Sequence, residues 1–161
     1  MNTAHWHLLL NHAPVISIVI GLLILIAGYV LKNEMVKKTA LAVFVFAALS
    51  AIPAFLTGEG AEEAVENLPG ITDNIIDKHE DIGSVFLWLI GGLGVIALGA
   101  LLADFFRHKL KNTLYIVALI GAVISIGVAK QLATTGGEIR HTEIRADAQT
   151  SITATDKDDD D

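Results

Sequence analysis

APVISIVIGLLILIAGYVL, residues 13–31, carries no charged side chain, and its only polar groups are one serine and one tyrosine hydroxyl. As a helix it would be roughly 28 Å long, close to the ~30 Å hydrocarbon thickness of a bilayer. A buried helix of a soluble domain would show a polar face at 3.6-residue spacing, and this stretch shows none. The same reading applies to residues 39–57, 82–103 and 113–132, the last of which contains a single charge, Lys130. Four such runs in a chain of 161 residues that is 53% hydrophobic predict an all-α, four-transmembrane-helix bundle over residues 1–145. The tail over 146–161 ends in DKDDDD and reads as an acidic, solvated, disordered end.

Several classes fall away on composition. The chain has no cysteine, which excludes disulfides, thiolate metal sites, iron–sulfur clusters and covalently attached haem. A net charge of -7 without a basic patch argues against nucleic acid as a partner. No acid lies within the four runs, so an intramembrane proton or ion relay is not expected. No basic n-region precedes residue 13 and no small-residue cleavage motif follows residue 31, so the first run reads as a retained helix rather than a signal peptide.

The connections set an orientation. Lys32, Lys37 and Lys38 crowd the first, and Arg107, Lys109 and Lys111 the third, whereas residues 58–81 hold eight acids and one lysine. Basic loops stay cytoplasmic, which predicts a multi-pass protein of a bacterial inner membrane with both termini and the acidic connection on the periplasmic side. Within that connection, AEEAVENL (61–68) spaces Ala61, Val65 and Leu68 as a short amphipathic helix, and LPG breaks it. Thr72 or Asp73 is suited to cap a helix continuing into the third run, and TTGG (134–137) to close the fourth with Gly136 or Gly137. Pro53 frees the carbonyl of Leu49, which Ser50 or a neighbour can satisfy. Small residues four apart, Gly121, Ser125 and Ala129 or Ala47 and Ala51, suit close helix packing or a homo-oligomer contact. The glycines at 91, 92, 94 and 99 suit either, or leave space for a flat cofactor.

On this topology five of the six histidines gather at the periplasmic face. The exception is His108, which reads as one more basic group of its loop. His79 shares a helical stripe with Ile75, Ile76, Ile82, Gly83 and Phe86 and is expected to face inward, as a ligand or as a hydrogen-bonded core histidine. His5 and His12, seven apart, share a face with Leu8 and Leu9, with His7 roughly opposite. Beside Trp6, His5 and His7 read as interfacial anchors, while His12, two residues before Pro14, is the better ligand candidate.

The spacing His7, His12, Pro14 at the first helix, the lone His79 before the third, and GGEIRH (136–141) after the fourth together resemble a bacterial family of four-helix membrane proteins of unknown function. Its members carry HPLxVHFP-like starts and GGxLVYxHG-like ends, and the resemblance runs over about residues 5–145. That family is found joined to or beside c-type cytochromes, and its layout is similar to that of membrane b-type cytochromes. The resemblance implies one haem b near the periplasmic face, held by paired histidines from His7, His12, His79 and His141, in an electron-transfer subunit with a c-type cytochrome as partner. Leu8 and Thr142 depart from the family's Pro and Gly, and His108 alone cannot supply a second haem. Two other readings stand beside it: a Zn or Cu site on the same four histidines with Glu59, Glu62 or Glu138, and a structural or assembly subunit whose histidines only make hydrogen bonds. No nucleophile–base pair or phosphate loop points to an enzyme.

Overall fold

The computed structural model describes residues 2–145; the reading of the tail lies outside the described residues. Among these residues all regular structure is helical: α1 Thr3–Leu10, α2 His12–Val30, α3 Glu34–Leu56, α4 Gly58–Glu62, α5 Asp73–Phe105, α6 Lys111–Arg140 and a closing 3-10 turn Thr142–Ile144. Four helical segments are long and apolar enough to cross a membrane, the first being α1 and α2 taken together. Short turns join α2 to α3 and α5 to α6, so consecutive long helices run antiparallel. α2 packs on α3, α3 on α5 and α5 on α6, and α6 closes against α2.

Two packed layers fill the interior. One is built from Ile18, Leu25, Leu41, Phe44, Leu93 and Tyr115 between buried alanines such as Ala40, Ala97, Ala118 and Ala122. The other joins Ala47, Ala51, Phe86, Ile90 and Ala129, with Val15, Leu87, Val128 and Leu132 against it. The small residues lie inside the bundle: Ala47, Ala51, Ser125 and Ala129 are buried. With nothing larger than a methyl or hydroxymethyl group at these contacts the backbones approach closely, which is how helices associate where lipid is as apolar as leucine. The outer girth is the reverse of a soluble surface. Leu23, Val30, Leu49, Trp88, Val95 and Ile124 are all exposed, an apolar belt that water would not tolerate and hydrocarbon would.

α5 has 33 residues, roughly 50 Å, far more than an apolar slab requires. Its first turns, with Asp73, Asp77, Lys78, Glu80 and Asp81, project beyond the 82–103 run. Thr72 occupies the N-cap, as the sequence suggests. Three local expectations are corrected. The short helix of the acidic connection is Gly58–Glu62, running straight on from α3, and 63–68 form turns. Eight residues bearing three glutamates have too little apolar face to hold a helix without a packing partner. α6 runs through Gly136 and Gly137 to Arg140, and neither glycine adopts a positive φ. Ser50 donates to the carbonyl of Ala47, not to that of Leu49.

At the basic end, α2 and α5 terminate in the same way. Asn33 N–H reaches the carbonyl of Gly28 at 3.0 Å and Lys32 N–H that of Tyr29 at 3.2 Å. His108 N–H reaches Ala103 at 2.7 Å and Arg107 N–H reaches Asp104 at 3.0 Å. These are Schellman turns whose left-handed position normally takes glycine. Here Lys32 (φ 51°) and Arg107 (φ 53°) occupy it. Beside them the Asp104 carboxylate, 9% exposed, bridges Lys38 of α3 and Lys111 of α6, so three helix ends are tied by one group. Lys111 also faces Glu34 at 3.9 Å.

The ammonium groups of Lys38 and then Lys111 hold the Asp104 carboxyl below the usual carboxylate range. A depressed folded value gives stability that is complete above the ordinary value of about 3.9 and is lost as pH falls through the folded value. Asp104→Asn should therefore be less stable than wild type at neutral pH, with the gap closing below about pH 4, as read from melting midpoints against pH in detergent. Packing gives a second expectation. A Cβ on Gly21 would lie 2.6 Å from Cε1 of the fully buried Phe44, so Gly21→Ala should cost about 1–3 kcal/mol. Gly99→Ala, with no atom within 4 Å of the new methyl, should leave the melting midpoint unchanged or raise it.

Candidate functional site

α1 begins at an Asn2 cap, whose side chain accepts from His5 N–H at 3.0 Å, and it breaks from α2 at Asn11. α1 packs against α3 and α4. The face shared by His5, Leu8, Leu9 and His12 is exposed, and the opposite face, with half-buried His7, turns inward. Asn11, four residues on from His7, lies on that inward face, and its Oδ1 is buried without a hydrogen-bond partner.

His7 Nδ1 lies 2.9 Å from the carbonyl oxygen of Ala54 and 3.4 Å from Thr57 Oγ1. A carbonyl only accepts, so Nδ1 carries the proton and Nε2 the lone pair. The bond has a backbone cause. Ala54 belongs to the last turn of α3, whose carbonyls have no helical partner. Thr57 Oγ1 lies within reach of Pro53 O and Ala54 O, at 2.8 and 3.0 Å, and His7 completes the cap from another helix.

His79 sits one turn beyond the 82–103 run, on the stripe with Ile76 and Phe86, both of which are buried. Its Nδ1 lies 3.0 Å from Thr135 Oγ1 on α6. The Thr135 hydroxyl is itself within reach of the carbonyls of Gln131 (3.2 Å) and Leu132 (3.1 Å), to one of which its single proton goes. With that proton on a carbonyl the hydroxyl accepts from His79 Nδ1–H, and this tautomer leaves Nε2 free, as in His7. A Cβ on Gly136 would come within 3.0 Å of the His79 ring, so this glycine makes room for the imidazole. Burial first, and then the neighbouring His7, hold His79 below the ordinary imidazole value, with the Leu132 carbonyl acting against them. His79 is thus the neutral, ligand-competent form at neutral pH.

The other candidates lie apart. His12 is exposed on α2, and His141 is exposed beyond α6, paired with Glu143 at 2.9 Å. Glu138 faces Lys78 at 3.8 Å, and Glu59 is exposed. The Glu62 carboxyl on α4 lies beside that of Glu80 on α5, and this neighbour, ahead of burial, raises it above its ordinary value. Among the described residues no group of three or more His, Cys, Asp or Glu side chains is placed to hold a metal ion. The space for a flat cofactor expected from Gly91 is not at the histidines. Gly83 faces Leu132, and Gly91 opens onto a lateral groove between α3 and α5.

Two contributors escaped the sequence reading. Thr135 is a buried hydroxyl in what looks like the fraying end of a helix, and only the register of α5 on α6 gives it a role. Arg145 donates to Glu138 O (2.8 Å) and Ile139 O (3.3 Å) at the end of α6 and to Gly70 O (2.7 Å), pinning the acidic connection. Gly70, at φ +82°, is the one glycine here that needs its conformational freedom. Comparison with protein families, with curated proteins and with solved structures found no match.

Thr135→Val keeps the shape of the side chain but leaves His79 Nδ1 without its hydrogen-bond partner. It should cost about 1–3 kcal/mol of stability, measured by thermal unfolding in detergent, whereas Thr134→Val, on the exposed side of α6, should cost well under that.

Proposed function

We propose that the chain is an integral subunit of a bacterial inner membrane that serves electron transfer by holding one haem b on His7 and His79. The observation that carries the reading is the matched state of the two imidazoles. They come from α1 and α5 at one end of the bundle, each Nδ1 is hydrogen-bonded to a neighbouring helix, and the tautomer with Nδ1–H leaves each Nε2 as a lone pair. Ligating histidines characteristically donate their second ring N–H to a carbonyl or similar acceptor, which fixes tautomer and ring orientation. Two imidazoles meet the axial requirement of haem iron, whereas Zn or Cu sites draw on three or four protein ligands. The unpartnered Oδ1 of Asn11 on the His7 face adds a polar group that a ligand could satisfy. The packed layer of Phe86, Ile90, Ala129 and Leu132 leaves no room for a macrocycle at mid-bundle, so one held by this pair would sit at the end.

The bound group would supply one-electron chemistry; the protein's part is to fix the imidazoles and limit water. The acidic end, with exposed Glu59, Glu63 and Glu66, would face the periplasm by the distribution of basic turns, and it is complementary to a basic partner such as a c-type cytochrome. One observation favours a second reading. Each of the two bonds already ties one helix to another, which is what a purely structural subunit requires.

Haem-replete expression followed by the visible spectrum separates the two. The first reading expects a Soret band at one haem per chain, lost in His7→Ala and in His79→Ala and kept in His12→Ala and His141→Ala. A wild-type protein without the band, or a band that survives both substitutions, overturns it. Lowered melting midpoints of His7→Ala and His79→Ala without any bound chromophore would leave the structural reading in its place.

A further inference from the structure

A groove of about 370 Å³ runs down the outside of the bundle between α3 and α5, lined by Val45, Leu49, Ile52, Leu87, Gly91 and Leu98 among others. It exists because α5 presents glycines to it. Gly94 lets Ala48 approach closely, and Gly91 leaves open space where any other side chain would stand. Along α5 it extends from Leu87 to Leu98, roughly 16 Å at helical rise, close to the hydrocarbon depth of one bilayer leaflet. Followed toward the basic end, the same helix faces carry exposed Ala42 and then Lys38 on α3, and exposed Leu102 and Phe105 on α5. The apolar channel therefore leads to a cationic rim.

That rim is built at a conformational cost. Lys32 and Arg107 sit in the left-handed position of two matching helix-terminating turns, where a side chain is disfavoured and glycine is the ordinary choice. The helix C-terminus welcomes a cation, but a lysine or arginine in the last helical turn would supply that without strain. The left-handed position instead carries the charge past the helix end. Arg107, His108 and Lys109 are all exposed there, three to five residues beyond the Asp104 that holds Lys38.

From these observations we propose that the α3–α5 groove is a binding site for one anionic phospholipid. An acyl chain lies along Gly91 and Gly94, and the headgroup phosphate lies against Lys38, Arg107 and Lys109. Lys38 gives one hydrogen bond to Asp104 and has further N–H donors for a phosphate oxygen. The charge selects the headgroup and the glycines admit the chain. The inference needs only that the bundle is embedded in a bilayer, and it is independent of any cofactor at His7 and His79.

The test is a thermal-shift series on the detergent-purified full chain with phosphatidylglycerol, phosphatidylcholine or inorganic phosphate, supported by native mass spectrometry for retained lipid. Phosphatidylglycerol at about a hundredfold excess over its Kd should raise the melting midpoint by about 5 °C, and phosphatidylcholine and phosphate by much less. Gly91→Phe has open space for its side chain and should fold, yet fail to retain lipid. Arg107→Gly combined with Lys109→Gln removes strain and charge together, and should erase the preference for phosphatidylglycerol while leaving stability in phosphatidylcholine intact or higher. Three results would each overturn the proposal: equal shifts from both lipids, a phosphate shift that matches the phosphatidylglycerol shift, or a wild-type dimer that Gly91→Phe converts to monomer.

Discussion

A backbone N–H or C=O inside hydrocarbon has no water to turn to, so it must be satisfied within the chain. This requirement makes the four long segments helices, and it moves the unsolved part of the problem to their ends. The last carbonyls of each helix have no intrahelical partner, and the specific polar chemistry of this chain concentrates on them. His7 and Thr57 close α3, Arg145 closes α6, and two matching turns close α2 and α5. The histidine that best fits a ligand role from α1 is thus also a helix cap. The two roles are compatible because they use different ring nitrogens.

The two ends of the bundle solve the same problem with opposite chemistry. At the basic end a nearly enclosed carboxylate gathers two lysines, and short turns hold the helices in register. At the other end the connection between α3 and α5 is long, acidic and mostly turn, and its order comes from attachments: α1 packed against α4, and Arg145 reaching the carbonyl of Gly70. An end assembled from such contacts can present imidazoles in partly enclosed surroundings. An end closed by tight turns can present only charge to its surroundings.

Much of the architecture was legible because hydrophobic length is a local property. The 13–31, 39–57, 82–103 and 113–132 runs each fall within a helix of the bundle, apart from the terminal residues at 31 and 57, and the inward stripe of His79, Ile76 and Phe86 faces the core as periodicity indicates. Less local features were harder. Periodicity establishes that His5 and His12 share a face and that His7 opposes it, but not which face turns inward. That depends on the break at Asn11 and on where α1 lands against α3 and α4. Gly136 looks like a helix terminator when read along the chain. In the fold it continues the helix, and its missing side chain leaves the space taken by the imidazole of His79, 57 residues earlier.

The sequence by itself determined four membrane-length apolar helices, the segregation of basic turns from the acidic connection, and the exclusion of cysteine-based chemistry, because composition and period act within one segment at a time. Only the tertiary structure decided which histidines turn inward and what they bond. The partners of His7 and His79 lie 47 and 56 residues away, at Ala54 and Thr135. Each bond depends on the relative height of two packed helices, and that height is set by alanine and glycine contacts along their whole length rather than by any residue near the site.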